Sequence, residues 1–105
     1  MDGEELWNKV LSKLNSKGEE IQTKTGLWFK AFVKEGKLYI EKATDHEPSS
    51  KISKERHITR NDFLFVHSYY DRWMNREPGV RQEVTKKSQN TAYIFALIGR
   101  YIDEN

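Results

Sequence analysis

The stretch LWFKAFVKEGKLYIEKA, residues 27–43, restricts the fold of this chain more than any other segment. Two runs rich in aromatic and branched residues flank Glu35-Gly36, and glycine can supply the positive φ that a two-residue hairpin turn requires. Because successive side chains of a strand point to opposite faces, the turn also sets the register of the two strands. The predicted pairs are Lys34 with Lys37, Phe32 with Tyr39, Lys30 with Glu41 and Trp28 with Ala43 on one face, and Val33 with Leu38 and Ala31 with Ile40 on the other.

Three aromatic side chains share one face of this predicted hairpin: Trp28, Phe32 and Tyr39. Lys30 and Lys34 lie beside them. Exposed aromatic side chains on a sheet can anchor a protein partner or stack unpaired bases, and the lysines would suit a phosphate backbone. A neighbouring helix could instead cover this face and make it part of the core. The sequence leaves these alternatives open.

The segment before the hairpin predicts an amphipathic helix. Asp2 can cap its first turn, with Glu5 three residues further on. Apolar residues then follow at helical spacing: Leu6, Trp7, Val10, Leu11 and Leu14. We expect the helix to end or fray between residues 15 and 18, or else to continue with Ile21 extending its apolar stripe.

Further elements are predicted after the hairpin. The stretch KISKERHI, residues 51–58, suits a third strand at a sheet edge or an extended loop. Thr59 and Asp62 can form a capping box for a helix that ends at Pro78-Gly79. Its apolar stripe is Phe63, Val66, Tyr70 and Trp73, widened by Phe65 and Tyr69. A short helix over residues 80–87 and a largely apolar helix over residues 91–102 complete the chain.

The element order predicts the fold class. Strands segregated from helices are typical of α+β proteins, here with an N-terminal helix, an antiparallel β-hairpin with a possible third strand, and three C-terminal helices. A chain of 105 residues suits a single domain, residues 1–105, and its 13 aromatic residues argue against disorder. No apolar stretch approaches the roughly 20 residues that span a bilayer, and the N-terminus lacks a signal-like apolar core. We therefore expect a cytoplasmic protein with no membrane association.

Charge is unevenly distributed along the chain. Residues 1–45 contain eight acidic residues and eight lysines, whereas residues 46–100 contain six acidic and ten basic residues. All six arginines lie in this second part: Arg56, Arg60, Arg72, Arg76, Arg81 and Arg100. The planar guanidinium group suits phosphates and guanine edges. The excess favours nucleic-acid binding but is also compatible with an ordinary solvated surface.

The segment from Val80 to Gly99 resembles the DNA-binding helix-turn-helix, in which the second of two helices enters the major groove. Val84, Ile94 and Leu97 would supply the inner contacts of such a unit, and Ser88 is small enough for the turn. Lys87 and Gln89 depart from the pattern, because apolar residues usually flank that turn. The second helix is also too apolar to present a full groove-facing surface, so the resemblance implies base contacts only from the leading turn.

That turn and two further stretches supply eight candidate nucleic-acid-binding residues. The amides of Gln89 and Asn90 can read adenine, and Thr91 can contact a phosphate or a thymine methyl group. Lys86 and Lys87 would neutralise phosphates. The remaining three candidates are Arg56, Arg60 and Arg81. Alternatively, Ser88 or Asn90 only caps the last helix, and the basic cluster KERHITRND, residues 54–62, only protects a sheet edge.

Catalysis has little support in the sequence. Cysteine is absent, and the histidines His46, His57 and His67 lack the close pairing of a helical zinc motif. No phosphate-binding loop, dinucleotide fingerprint or nucleophile elbow occurs. The motif EGK, residues 35–37, has the carboxylate-x-lysine spacing of some metal-dependent nucleases, but it falls in the predicted turn and no upstream aspartate completes a metal site. We therefore expect no catalytic residue, no metal and no cofactor.

These observations favour a small non-catalytic nucleic-acid-binding domain that uses its arginine-bearing C-terminal half, with DNA preferred over RNA. The alternative is a protein-interaction or assembly domain, homo-oligomers included, that uses the face formed by Trp28, Phe32 and Tyr39. A third alternative is an accessory recognition domain of a longer protein. The first hypothesis depends on whether folding gathers the cationic side chains onto one surface.

Overall fold

The computed structural model describes residues 2–102 and has the predicted mixed α+β architecture. It contains five helices and four strands in this part of the chain. In chain order they are α1 (Gly3–Lys13), β1 (Glu19–Gln22), β2 (Trp28–Lys34), β3 (Lys37–Lys42), β4 (Arg56–Ile58), α2 (Arg60–His67), α3 (Tyr70–Met74), α4 (Val80–Thr85) and α5 (Thr91–Tyr101). No helix within residues 2–102 has both the length and the apolar character needed to cross a membrane.

The central hairpin has the predicted register. β2 and β3 are antiparallel, and the turn between them has positive φ at both central residues, 54° at Glu35 and 75° at Gly36. That geometry matches the twist of the flanking strands. The observed partners include five of the six predicted pairs: Lys34 with Lys37, Val33 with Leu38, Phe32 with Tyr39, Ala31 with Ile40 and Lys30 with Glu41. The sixth, Trp28 with Ala43, is not formed, because the ladder of β2 and β3 ends at Phe29 and Lys42 and Trp28 forms a bridge with Ser49 instead.

The sheet has one strand more than the sequence analysis predicts. Its antiparallel order is β1-β2-β3-β4. Residues 19–22 form the edge strand β1, so Ile21 belongs to the sheet and does not extend the first helix. The predicted third strand exists, but only over Arg56–Ile58. Ile52, in the loop before it, is nevertheless buried in the core.

The helices cover the face of the sheet that carries the small and aliphatic side chains. Phe29, Ala31, Leu38, Ile40 and Ile58 are fully buried there. The helices α1, α2 and α5 pack against one another, and α5 also contacts β1. The largest helical contributors to the core are Leu6, Phe63, Phe95, Leu97 and Tyr101. α5 is therefore the central helix, as its apolar composition predicts.

The helix starts follow the predicted caps, but one predicted helix is broken. Asp2 accepts a hydrogen bond from the N–H of Glu5 at 2.8 Å, and Thr59 accepts one from the N–H of Asp62 at 3.1 Å. The helix predicted to run to Pro78 ends instead at His67, and α3 starts at Tyr70. Between them, the Ser68 hydroxyl donates to the carbonyl of Phe65 at 2.6 Å. A serine that bonds to its own backbone in this way competes with helix continuation.

The carboxylate of Glu20 ties β1 to the loop after β3. It accepts hydrogen bonds from the backbone N–H of Thr44 at 2.8 Å and of Asp45 at 3.0 Å, and lies 2.9 Å from the His46 ring nitrogen Nδ1. The side chain is only 5% exposed. Desolvation alone would raise the pKa of this carboxyl, but the hydrogen bonds from Thr44, His46 and Asp45 together outweigh it and lower the pKa from 4.5 to about 2.

Replacing Glu20 with glutamine is expected to lower the free energy of unfolding by about 2 kcal/mol at pH 7, because charge-assisted hydrogen bonds are lost. The folded pKa is depressed, so the carboxylate stabilises the fold above pH 4.5 and loses this effect as the pH falls toward 2. Urea denaturation of both proteins at pH 7 and pH 3 should show the difference shrinking at the lower pH. Glu55→Gln, at an exposed position, serves as the control; a pH-independent difference would contradict this account.

Candidate nucleic-acid interface

The turn between α4 and α5 lies beside the start of α2, and the two segments form a polar groove of about 660 Å³. We call it the turn groove. Four of the eight predicted nucleic-acid-binding residues line it, although they come from stretches far apart in sequence. Its lining residues are Arg56, His57, Thr59, Asn61, Asp62, Phe65, Lys87, Ser88, Gln89 and Asn90.

Asn90 occupies the N-cap position of α5, but its side chain makes no capping hydrogen bond. Its amide nitrogen donates to Asp62 Oδ2 at 3.1 Å, and its amide oxygen accepts from Arg56 Nη1 at 3.4 Å. Ser88 supplies the local turn bond, because its hydroxyl oxygen accepts from the N–H of Asn90 at 3.1 Å. The alternative in which Asn90 only caps the helix therefore does not describe this side chain.

The two cations of the turn groove lie over aromatic rings. Arg56 lies with its guanidinium carbon 5.8 Å from the centre of the Tyr93 ring, and Lys87 lies with its ammonium 5.9 Å from the centre of Phe65. Both distances fall within the range of cation–π attraction. Gln89, two residues after Lys87, is exposed and also lines the groove. The groove therefore presents two cations, two amides and the carboxylate of Asp62 on one polar surface.

Of the other four predicted residues, three lie outside the turn groove and one is buried. Arg60 forms an ion pair with Glu4 on α1, and both side chains are about half exposed. Arg81 lines a different groove. Lys86 is exposed at the C-terminal end of α4 but does not line the turn groove. Thr91 is only 2% exposed, and its hydroxyl donates to the carbonyl of Ser88 at 3.0 Å, so we leave it out of the candidate site.

The arginines do not form one continuous cationic face. Besides Arg60, Arg72 and Arg100 have carboxylate partners within residues 2–102. Arg72 lies 2.7 Å from Glu77, and Arg100 lies 3.6 Å from Glu19. Pairing of this kind reduces the field that an exposed cation presents to a polyanion. Folding therefore does not gather the arginines onto one surface, which is the condition that the sequence-based hypothesis sets, and the candidate interface is confined to the turn groove, where Arg56 is the one arginine among the lining residues.

The resemblance to a helix-turn-helix extends to the buried contacts but not to an exposed second helix. Val84, Ile94 and Leu97 are fully buried, as the resemblance implies. However, the only exposed residues of α5 are Gly99 and Arg100, both near its C-terminal end, while Ala92, Tyr93 and Ala96 are half-buried. Such a helix cannot lie in a major groove without unfolding the core. Within this segment, only the turn over residues 86–90 remains as a candidate for contacts with base edges.

An aromatic row on the outer face of the sheet continues from the turn groove. The ring centres of His57 and Tyr39 are 5.3 Å apart, and Tyr39 stacks on Phe32 at 5.5 Å. His57 is exposed and Tyr39 is half-buried. Sequence reasoning did not include His57 and Asn61 in the site. The alternation of β4 could have placed His57 beside Tyr39, because strand neighbours on one face are in contact.

The aromatic face proposed for a protein partner is divided by the fold. Phe32 is only 7% exposed, because the loop over residues 15–18 packs on it. Trp28 stacks on His46 with ring centres 3.9 Å apart. Trp28 also lines a second groove, which shares no lining residue with the turn groove. The three aromatics therefore do not form one exposed surface. A partner surface of the kind predicted could include Trp28 without Phe32.

The second groove is apolar and lies along β1; we call it the edge groove. It has a volume of about 510 Å³. Trp73 and Phe95 stack in its wall with ring centres 4.3 Å apart, and Met74 is 51% exposed at its rim. The apolar stripes of the predicted helices include Trp73 and Phe95 but not Met74. Met74 carries no sequence signal that distinguishes it from a core position.

Within residues 2–102 no group of three or more histidine, aspartate or glutamate side chains is arranged to hold a metal ion. Comparison with known proteins gives no assignment either: no family model, no curated protein and no solved structure matches this chain. Any function must therefore be argued from the geometry of the two grooves.

Proposed function

We propose that this protein is a small non-catalytic DNA-binding domain whose contact surface is the turn groove. One observation carries the proposal. Arg56 and the segment Lys87–Asn90, more than 30 residues apart in sequence, line the same groove and present complementary chemistry there. Cations to meet phosphates and amides to meet base edges are the two kinds of group that duplex recognition combines.

The hydrogen bonds of Asn90 prepare its amide to read a base. An asparagine amide has two N–H donors and two acceptor lone pairs. Asp62 uses one donor and Arg56 uses one lone pair. One donor and one acceptor remain, which is the pair that adenine N7 and its exocyclic amine require in the major groove. A side chain already fixed by two partners also loses less conformational entropy on binding.

The surroundings of the groove support contact with the phosphate backbone. Lys86 and Lys87 lie together on the exposed side of the turn, and Arg56 approaches from β4. Each phosphate neutralised by such a cation releases condensed counterions, which makes binding salt-dependent. His57 and Tyr39 extend the surface across the sheet, where their rings can contact a sugar or an unpaired base.

The experiment is a fluorescence-anisotropy titration of a labelled duplex DNA of random sequence at several salt concentrations. Wild-type affinity is expected to fall steeply as salt increases. The double variant Lys86→Ala/Lys87→Ala is expected to bind about tenfold more weakly and to have a salt slope smaller by roughly 1–2, because one or two phosphate contacts are lost.

The matched control is Lys24→Ala/Arg81→Ala, which removes the same charge from the edge groove. It is expected to bind DNA nearly as well as the wild type. Equal losses in the two double variants would show that net charge alone drives binding. If the wild type did not bind the DNA duplex at low salt, the proposal would be wrong.

A further inference from the structure

The edge groove lies along the free edge of the sheet. Six consecutive residues of β1 and the following turn line one side of it, Glu20 to Thr25. Ile21 and Thr23 point to the inner face of the sheet, whereas Glu20, Gln22 and Trp28 point to the outer face. Because residues of both faces line the groove, it runs along the strand edge and not over either face.

Two residues of β1 have backbone N–H and C=O groups without a backbone partner within residues 2–102. The N–H of Thr23 donates to the carbonyl of Leu27 at 2.8 Å, so the pair Thr23 and Leu27 is a hydrogen-bonded pair of the ladder. Antiparallel partners alternate between hydrogen-bonded and non-hydrogen-bonded pairs. Glu20 and Gln22, opposite Lys30 and Trp28, are therefore non-hydrogen-bonded. Their N–H and C=O groups point away from β2.

The opposite wall of the groove is suited to apolar side chains of an added strand. Three small residues of α5, Ala92, Ala96 and Gly99, leave room beside the stacked pair Trp73 and Phe95. Peptides that add a strand to a sheet edge obtain affinity from the backbone and specificity from pockets for alternate side chains. The edge groove contains both features.

One end of the groove is cationic. Lys24 and Arg81 line both the edge groove and the smaller cleft that adjoins it. Lys24 lies with its ammonium 4.7 Å from the centre of the Trp73 ring, and no carboxylate lies within ion-pair distance of Arg81 in the part of the chain that the structure describes. Two carboxylates lie nearby, and both have partners: Glu20, which lines the groove, is engaged by the loop over residues 44–46, and Glu77, which lines the adjoining cleft, is paired with Arg72. A ligand carboxylate would complement this end.

We propose that the edge groove binds an extended acidic peptide of a partner protein, which pairs with β1 as a fifth strand. Its apolar side chains would occupy the pocket between Trp73 and Phe95, and its carboxylates would meet Lys24 and Arg81. This partner surface is separate from the turn groove and does not depend on DNA binding. It moves the predicted protein-interaction role from the hairpin face to the sheet edge, with Trp28 retained.

The test uses a fluorescein-labelled eight-residue peptide that alternates leucine and glutamate, with its binding followed by anisotropy. A peptide with lysine in place of glutamate and one with N-methylated amides at alternate positions are the ligand controls. We expect the acidic peptide to bind at least tenfold more tightly than either. Lys24→Ala/Arg81→Ala should reduce that binding about tenfold, since it removes both cations.

The variant Gln22→Pro isolates the backbone contribution. Proline removes the outward N–H of this edge residue without touching a bond to β2, and such positions tolerate proline. Gln22→Ala removes the same side chain but keeps the N–H. We expect Gln22→Pro to lose peptide binding at least tenfold relative to Gln22→Ala, with both variants folded by thermal melting and both binding DNA like the wild type.

The inference would be overturned if the wild type did not bind the acidic peptide, or if it bound the lysine peptide equally well. Equal peptide binding by Gln22→Pro and Gln22→Ala would also overturn it. So would displacement of the peptide by duplex DNA, because the peptide would then occupy the turn groove. Self-association of the wild type that Gln22→Pro abolishes in sedimentation would identify a second copy of the chain as the occupant instead.

Discussion

Replacing Gly18 with alanine is expected to lower the free energy of unfolding by about 2–5 kcal/mol, the sum of a left-handed backbone penalty and overpacking. Gly18 has a φ of 75°, and a Cβ there would lie 2.5 Å from the carbonyl oxygen of Ala31 and 2.9 Å from the Cβ of Phe32. The backbone of β2 cannot yield, because Val33 donates to the carbonyl of Asn15 at 3.0 Å and holds the loop against the strand.

Gly36→Ala provides a matched control for this prediction. Gly36 has the same φ of 75°, but a Cβ there would meet no atom within 4 Å. Gly36→Ala should therefore lower the free energy of unfolding only by the backbone penalty, about 1–2 kcal/mol. Urea denaturation measures both values, and the difference between them reports the clash at Gly18. Equal destabilisation by the two variants would show that the loop over residues 15–18 does not press against β2 as described.

Replacing Arg56 with alanine is expected to weaken DNA binding by about 10- to 100-fold, the usual range for an arginine that contacts the nucleic acid directly. The side chain has two roles in the turn groove. It supplies a guanidinium group beside Lys87, and it donates to the Asn90 amide oxygen. Its loss therefore removes a cation and also frees the amide that we propose to read a base. Anisotropy titration at low salt measures the change.

Arg81→Ala is the control for Arg56→Ala, because it removes the same chemical group and charge from the edge groove. We expect a change of less than about threefold, because Arg81 lines the edge groove and is not among the residues that line the turn groove. If Arg81→Ala weakened binding more than Arg56→Ala, the DNA surface would have to be moved to the edge groove.

The hairpin register could be predicted in full from the sequence, because two independent constraints agree. A two-residue turn at Glu35-Gly36 allows one register, and that register places the apolar residues together on one face. The caps at Asp2 and Thr59 were predictable for a similar reason, since each is a local hydrogen bond within three residues. Local geometry carries this information without reference to the rest of the fold.

Two elements could not be predicted because tertiary contacts decide them. β1 is four residues long and has one apolar residue, Ile21, which fits a helical stripe as well as a strand. The break between α2 and α3 falls inside a stripe whose spacing remains helical through Tyr70 and Trp73. After the break, α3 runs along the edge groove because Trp73 packs against Phe95 there.

Individual residues of the candidate site could be predicted from the sequence, but which of them lie together in the fold could not. The amides and lysines of residues 86–90 follow from one turn, whereas the contact of Asn90 with Arg56 joins residues 34 positions apart. Arg81 lies in another groove because its neighbours Val80 and Val84 are the buried residues of α4. Sequence spacing cannot show on which side of the molecule such a helix presents its exposed residues.

The most direct test of the proposed DNA surface is a map of backbone amide chemical-shift changes during titration with a short duplex. We predict the largest changes at Arg56, His57 and residues 87–90, smaller ones at Tyr39, and none around Trp73 and Met74. Changes centred on Lys24, Trp73 and Arg81, or no changes at low salt, would contradict the account.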